Sequence, residues 1–352
     1  MPEIIPFLHK LISAPGLSGY ETPVRDLIKD TWEPLCDEMQ ISRLGSLHAL
    51  RKGRGPKPRP SILIEAHMDT IGLMVTGLVG EFLKVSPIGG VDHRILPGQL
   101  VTVHGREDLP AVIVCPPAHL LPKSAGDPPS SLDYLLVDSG LLSEEVEQKV
   151  QIGDLVSFAQ TPLQMSSGFV AGHSLDNRAS VAALTLCLQE LENRPINWDL
   201  WMAATTLEEE SLGGALTSAY QLHPDLAVVV DVTFGKGPGS PDYMTFPLGK
   251  GPTLSWGPVV HPRLHQAFKQ LANHLEIPYQ HELIPNYSYT NADMIHAVAQ
   301  GIPTMLLEIP IRYMHTSTEM VSISDILQTG RLLAEFAASL DADFLEGLSW
   351  DD

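Results

Sequence analysis

Cysteine is scarce in this chain: its 352 residues include three, Cys36, Cys115 and Cys187. An odd, widely spaced set fits neither a disulfide framework nor a CxxC metal knuckle, so any metal must be held by imidazoles and carboxylates. Long apolar runs are missing as well. No stretch reaches the ~20 residues that cross a bilayer. Met1–Ser13 is interrupted by Glu3, His9 and Lys10, where a secretion signal needs an unbroken apolar core. The expectation is a cytoplasmic protein that does not engage membrane. Positive charge is also in short supply: 22 Lys and Arg against 42 Asp and Glu give a formal net charge of -20. That excludes nucleic acid as an expected partner, because phosphate binding needs clustered cations. The one basic cluster, Arg51, Lys52, Arg54, Lys57 and Arg59, lies in a Gly/Pro stretch without aromatics. It reads as a solvated hairpin tip, with an anion site as the alternative.

What is present is an alternation of apolar strands and helices. The length exceeds a usual single core, so a main domain with a smaller second one is expected. Helical spacing covers Pro2–Ser13 and Thr22–Leu35, and Ser61–Ala66 is a nearly wholly apolar strand of the kind buried on both faces. From about Ile71 to Leu163 the texture changes to short Val- and Leu-rich segments such as Gly98–Val103 and Ala111–Cys115, separated by Gly and Pro. That predicts an inserted β-barrel-like domain at 71–163, between main-domain parts 1–70 and 164–352, with Pro116–Ser131 as a mobile loop. Beyond it the pattern predicts helices at Asn177–Leu191, Gly213–Gln221, Pro262–Leu275, Ala292–Ala299 and Ile326–Leu340. Strands are predicted at Leu200–Leu207, Leu226–Val232 and Pro303–Ile309. Alternation of this kind means an α/β fold with a mainly parallel or mixed sheet flanked by helices.

Imidazoles and acids recur where these strands stop, which is where open parallel sheets carry their sites. His67 and Asp69 follow Ser61–Ala66, Glu208-Glu209-Glu210 follow Leu200–Leu207, and Asp231 closes Leu226–Val230. Taken singly each has a plainer role: a hydrogen-bonded strand-end His, an acidic first turn, or an N-cap for Asp176. Taken jointly, imidazole and carboxylate without cysteine suit zinc, cobalt or manganese, and a carboxylate can bridge two ions ~3.5–4 Å apart.

Five ordered segments carry a resemblance: Ala66-His67-Met68-Asp69-Thr70-Ile71-Gly72, Leu175-Asp176-Asn177-Arg178-Ala179, Glu208-Glu209, Val230-Asp231-Val232-Thr233 and Arg312-Tyr313-Met314-His315-Thr316. With Gly89–Arg94, Leu96–Gln99, Gly257-Pro258 and His261-Pro262 they make the chain similar, over nearly its whole length, to the M42 metallo-aminopeptidases. This is the family of the glutamyl and tetrahedral aminopeptidases, whose members are sometimes labelled endoglucanases. The resemblance implies a zinc-exopeptidase-like fold and two divalent ions per subunit, zinc or cobalt first among them. One ion would lie on His67, Asp176 and Asp231, the other on Asp176, Glu209 and His315. It makes Glu208 the general base acting on a metal-held water, and gives Asp69 the task of orienting His67. It implies peptide substrates with free N-termini, and an inserted domain that pairs subunits into dimers and then a dodecamer.

The chain departs from the family pattern in two places. Leu207 and Glu210-Ser211 replace the usual flanks of the Glu pair, so a 209/210 register competes with 208/209, and alignment on Leu212-x-Gly214-Ala215 favours the latter. Thr290-Asn291-Ala292 stands where the family usually has Thr-Asp-Ala, so a carboxylate is missing there. His93, His173 and His261 lie in or beside matched motifs without being family ligands, and structural roles are expected of them. The alternative function is a metal-dependent hydrolase of carbohydrate or of N-acyl and amide bonds. Glycoside hydrolysis would leave His67, His315 and Asp176 without a purpose.

Overall fold

The computed structural model describes residues 4–122 and 132–348. Its centre is an eleven-stranded sheet grown around Ser61–His67, buried from Ile62 to His67. A run with no polar alternation is what a strand covered on both faces requires. Asp199–Thr205 and Leu226–Phe234 pair with it in parallel, one on each side, and Thr304–Arg312 extends the parallel set beyond Leu226–Phe234. The flanks are antiparallel. Leu47–Arg51 and Glu38–Ile41 lie on one side, and Glu319–Ser322, Phe169–Gly172 and Leu163–Gln164 on the other. Thr253–Trp256 and Gln280–Leu283 branch from Thr304–Arg312. The sheet is therefore mixed with a parallel centre, as the strand and helix alternation predicts.

The helix Leu175–Leu191 packs on Ser61–His67 and Leu226–Phe234, and Ile323–Ser339 packs beside it on Thr304–Arg312 and Glu319–Ser322. Every residue from Leu175 to Thr185 is buried, which is why this segment shows apolar and small residues all round rather than one stripe. The basic stretch is tied into the same region. The Arg51 guanidinium donates to the carbonyls of Leu191, Glu192 and Arg194 at the end of that helix, where a cation also meets the negative end of the helix dipole. Arg59 pairs with Asp199 at 2.8 Å and Lys52 pairs with Glu38. The expected hairpin tip is absent, because Leu47–Arg51 and Ser61–His67 are separated by Asp199–Thr205 and the basic stretch is a crossover between them; Arg54 and Lys57 are exposed on it, while Arg51 and Arg59 are tied down.

Gly72–Val79, Phe82–Ile88, Leu136–Asp138, Asp108–Val114, Leu100–His104 and Leu155–Phe158 close into a six-stranded barrel. It has a core of its own, with Leu73, Val101, Val103, Ile113, Val137 and Val156 inside. The short helix Ser143–Lys149 within this region had no signal in the sequence. In the expected mobile loop Pro116–Ser131, Ala118–Leu120 forms a 3-10 turn, and 123–131 lie outside the described residues. Elsewhere the element limits shift for local reasons. The second helix stops at Trp32 because Pro34 follows, the Leu200–Leu207 strand stops at Thr205 before Leu207 turns to φ 61°, and the Ala292–Ala299 helix ends at Ile295. No helix among the described residues is long and apolar enough to cross a membrane.

Candidate active site

The parallel strands deliver their carboxyl ends to one place. Thr205 is opposite His67 in the register, so the turn Glu208–Ser211 that follows Thr205 stands beside His67-Met68-Asp69. One strand away on the other side Asp231 sits within Leu226–Phe234, which runs three residues beyond it. Asp176 and Asn177, although placed within the helix Leu175–Leu191, have non-helical angles, and the peptide between them is cis. His315 follows the strand Thr304–Arg312 with φ 60°.

These residues meet. His67 Nε2 lies 3.2 Å from Asp176 Oδ1, 3.7 Å from Asp231 Oδ1 and 3.7 Å from Glu208 Oε2. His315 Nε2 lies 3.3 Å from Asp176 Oδ2 and 3.4 Å from Glu209 Oε2. Asp176 thus turns one oxygen to each imidazole. Two three-donor groups result, His67 with Glu208 and Asp231, and Asp176 with Glu209 and His315, each with its ligand atoms within 4.8 Å of one another. Donors held at ~2.1 Å from a tetrahedral ion stand ~3.4 Å apart, so these separations are those of a ligand shell rather than of ordinary hydrogen bonds. Glu209 Oε1 is buried and has no hydrogen-bond partner among the described residues, an acceptor that a cation would satisfy. The donor set fits divalent metal ions.

Glu210 faces elsewhere: it is exposed and accepts a 2.7 Å hydrogen bond from Gly89 N. The neighbouring Gly90 carbonyl accepts from His315 Nδ1 at 3.1 Å, and a Cβ on Gly90 would stand 2.8 Å from that nitrogen. A side chain there would push the imidazole away. The loop after the barrel strand Phe82–Ile88 therefore orients a site residue through its backbone while supplying no ligand.

Asp69 does more than the resemblance implies. His67 Nδ1 lies 3.2 Å from the Asp69 carbonyl and 3.4 Å from its Oδ1. The carboxylate also accepts from Glu208 N at 3.1 Å and from Glu209 N at 3.2 Å. One side chain thus fixes His67 and the start of the acidic turn together.

Burial and like charge push the Glu208 carboxyl up to about 9, drive Glu209 well above the ordinary range and raise Asp231. Burial would raise Asp176 too, but the His315 and His67 imidazoles beside its two oxygens hold it below the usual carboxylate range. For His67, burial favours the neutral ring, and Glu208, Asp176, Asp231 and Asp69 overcome it and drive the pKa well above normal. So many buried acids with so little positive charge form an environment prepared for cations.

Several participants carried no sequence signal that was used. Glu319, 2% exposed, accepts from Asp176 N at 3.1 Å and His315 N at 2.9 Å, coupling the two segments at the second group. Its place four residues after His315 was the only clue. Arg178, in a quoted motif but given no role, is fully buried and donates to carbonyls of Met68, Leu11, Ala14 and Gly16, locking the first helix to the His67–Asp69 turn. The carboxylate missing at Asn291 has a neighbour in its place. Glu65 Oε2 lies 3.2 Å from Asn291 Nδ2 and 2.9 Å from Thr205 Oγ1, and burial pushes Glu65 up to about 8. His173 is buried against Ser174 Oγ at 2.6 Å and His261 caps the helix Pro262–His274, so both are structural; His93 belongs to a short turn at the barrel.

The chain belongs to the M42 glutamyl aminopeptidase family, whose sequence profile matches residues 45–332. It is 34% identical over 334 residues to the lysyl aminopeptidase of Pyrococcus furiosus, covering 92% of this chain and 94% of that one. The TET aminopeptidase of a marine sediment Thaumarchaeota archaeon superposes with a TM-score of 0.93 at 27% identity, over 99% of both chains. The TET1 peptidase of Pyrococcus horikoshii, which can assemble into a tetrahedron or a large octahedral shell, gives 0.83 at 28% identity, over 96% of this chain and 100% of its own. The protein is a peptide hydrolase, an aminopeptidase, of a metal-dependent family.

Proposed function

We propose that this enzyme removes single residues from the free N-terminus of peptides with two divalent ions, zinc or cobalt, in the cytoplasm. The observation that carries the reading is Asp176, whose two oxygens stand 3.2 and 3.3 Å from two different imidazoles. His67, Asp176 and Asp231 would hold one ion and Asp176, Glu209 and His315 the other. Bound there, the ions would polarise the scissile carbonyl and acidify water.

The chain's own residues do the remaining work. Glu208 lines the cavity and takes the proton of the attacking water, then returns it to the departing amine. Asp69 keeps His67 and the Glu208-Glu209 turn in register. The acids around the site also attract the substrate's α-ammonium, which a blocked peptide lacks. Peptides with a free amino terminus are therefore expected to shorten one residue at a time, read by mass spectrometry, while N-acetylated copies persist. Equal cleavage of blocked peptides or of internal bonds would mean a different hydrolase.

The inserted domain, residues 71–163, is proposed to pair subunits into dimers that build a dodecamer. Supporting this, the similar TET1 peptidase can assemble into a tetrahedron or a large octahedral shell, and the barrel region exposes Leu100, Leu142 and Ile152 at 59%, 70% and 67%. Light scattering with metal present should find a mass far above the 38.4 kDa monomer. A fully active monomer would remove the assembly reading, and a dimer alone would remove its dodecameric part.

A further inference from the structure

The cavity that holds the cluster, about 950 Å³, is also lined by two acids with no part in the hydrolytic step, Glu282 and Glu308. The sheet puts them there. Glu308 is the register partner of Asp231, so the two side chains leave the same face one strand spacing, about 4.8 Å, apart. Gln280–Leu283 reaches the same place by pairing with Thr253–Trp256, whose Thr253 lies opposite Glu308.

Three hydroxyls from two strands fix the pair. Ser255 Oγ donates to Glu308 at 2.6 Å, while Thr253 Oγ1 and Thr233 Oγ1 each donate to Glu282 at 2.7 Å. Glu308 is 4% exposed. Among the described residues neither acid forms an ion pair with a Lys or Arg, and the sheet register sets Glu308 beside another acid, Asp231. Hydroxyls orient these acids without supplying a counter-charge, and burial raises both, so the wall offers acceptors that a cationic head would complete. The cavity surface also carries the apolar Phe234, Met244, Leu283 and Met314, beside polar groups such as Asn286 and Ser288.

We propose that this wall receives the side chain of the substrate's first residue and selects lysine or arginine, with the methylenes along Phe234, Met244 and Leu283 and the cationic head on Glu282 and Glu308. The selection rests on the aminopeptidase reading above. A basic side chain has the two parts this wall asks for, an apolar stem and a donor-only head. A glutamyl side chain meets like charge, and an aliphatic one leaves both acids facing it without a donor.

The test compares kcat/KM of the metal-loaded enzyme on lysyl, norleucyl, leucyl and glutamyl reporters. Norleucine matches the lysine stem without its ammonium. Lysyl is expected to exceed norleucyl by about tenfold or more and glutamyl by about 100-fold, the scale of one desolvated charge pair. In Glu308→Gln and Glu282→Gln the lysyl-to-norleucyl ratio should fall toward one, and Glu308→Asp should restore part of it. Norleucyl cleaved as well as lysyl by the wild-type enzyme would overturn the proposal, whatever the variants do. Variants that slow both reporters equally would also overturn it, since the acids would then act on the shared α-ammonium or on the hydrolysis. Cleavage of none of the reporters would bring down the aminopeptidase reading and this selection with it, an outcome distinct from brisk cleavage without lysine preference.

Discussion

Glu208→Gln is expected to keep its metal content and its fold while kcat falls ~10²–10⁴-fold, the usual contribution of a positioned acid–base group. The side chain is 11% accessible, facing the cavity, and accepts no hydrogen bond among the described residues. Nothing in the protein uses its lone pairs, so an isosteric amide disturbs no network and removes only the ability to carry a proton. Asp231, equally far from His67, is different: its Oδ1 also accepts from Val232 N at 2.8 Å and is fixed by the strand. Glu209→Gln should behave in the opposite way, losing one ion, because the 4% accessible Glu209 carboxyl faces His315 and keeps one oxygen without a partner. Glu210→Gln should change little, its carboxyl being spent on the Gly89 backbone. Elemental analysis beside the rates separates these outcomes. If Glu209→Gln keeps both ions while Glu210→Gln loses one, the roles must shift by one residue along the turn.

The site was legible where chemistry coincides with the end of a strongly apolar strand. Ile62–Ala66 and Leu226–Val230 announce themselves by composition, so the polar residues at their exits, His67 and Asp231, stand out at once. The same contrast defined the insertion, because a barrel of short strands with its own core has a different texture from a buried parallel sheet. Residues whose meaning lies in a long-range pairing were not legible. Glu65 and Asn291 are separated by 226 positions, and each alone looks like a polar residue in an ordinary segment. Glu282 and Glu308 meet only because a short branch strand pairs with the sheet's neighbour, and that branch has too few residues to show a period. Arg178 has no assigned purpose in its segment until tertiary packing gives its guanidinium four backbone carbonyls. The backbone between Asp176 and Asn177 was likewise hidden, since helix periodicity starts at their door and says nothing of the turn that aims Asp176.

Stripping the ions is expected to cost activity and stability together. Lewis-acid assistance amounts to several kcal/mol of transition-state stabilisation, so activity after exhaustive chelation should fall ~10²-fold or more. The stability loss follows from the same cluster. Asp176 and Asp231 are buried and Glu208 and Glu209 half-buried around His67 and His315, and desolvation with mutual repulsion already raises three of the four carboxyls. Asp176 alone is held low, and only because both imidazoles serve it. Cations that bind the folded cluster and not the unfolded chain stabilise by about 2.7 kcal/mol when present at 100 times their Kd. The melting temperature should therefore drop by several degrees on chelation and recover on reloading. Zinc or cobalt should restore both activity and melting temperature, because imidazole nitrogen suits these ions, whereas magnesium, which prefers an all-oxygen octahedron, should restore neither. Equal melting curves with and without chelator, in an active enzyme that contains no transition metal by elemental analysis, would mean that the acids and imidazoles neutralise one another and that the bridging place of Asp176 is only an ion-pair network.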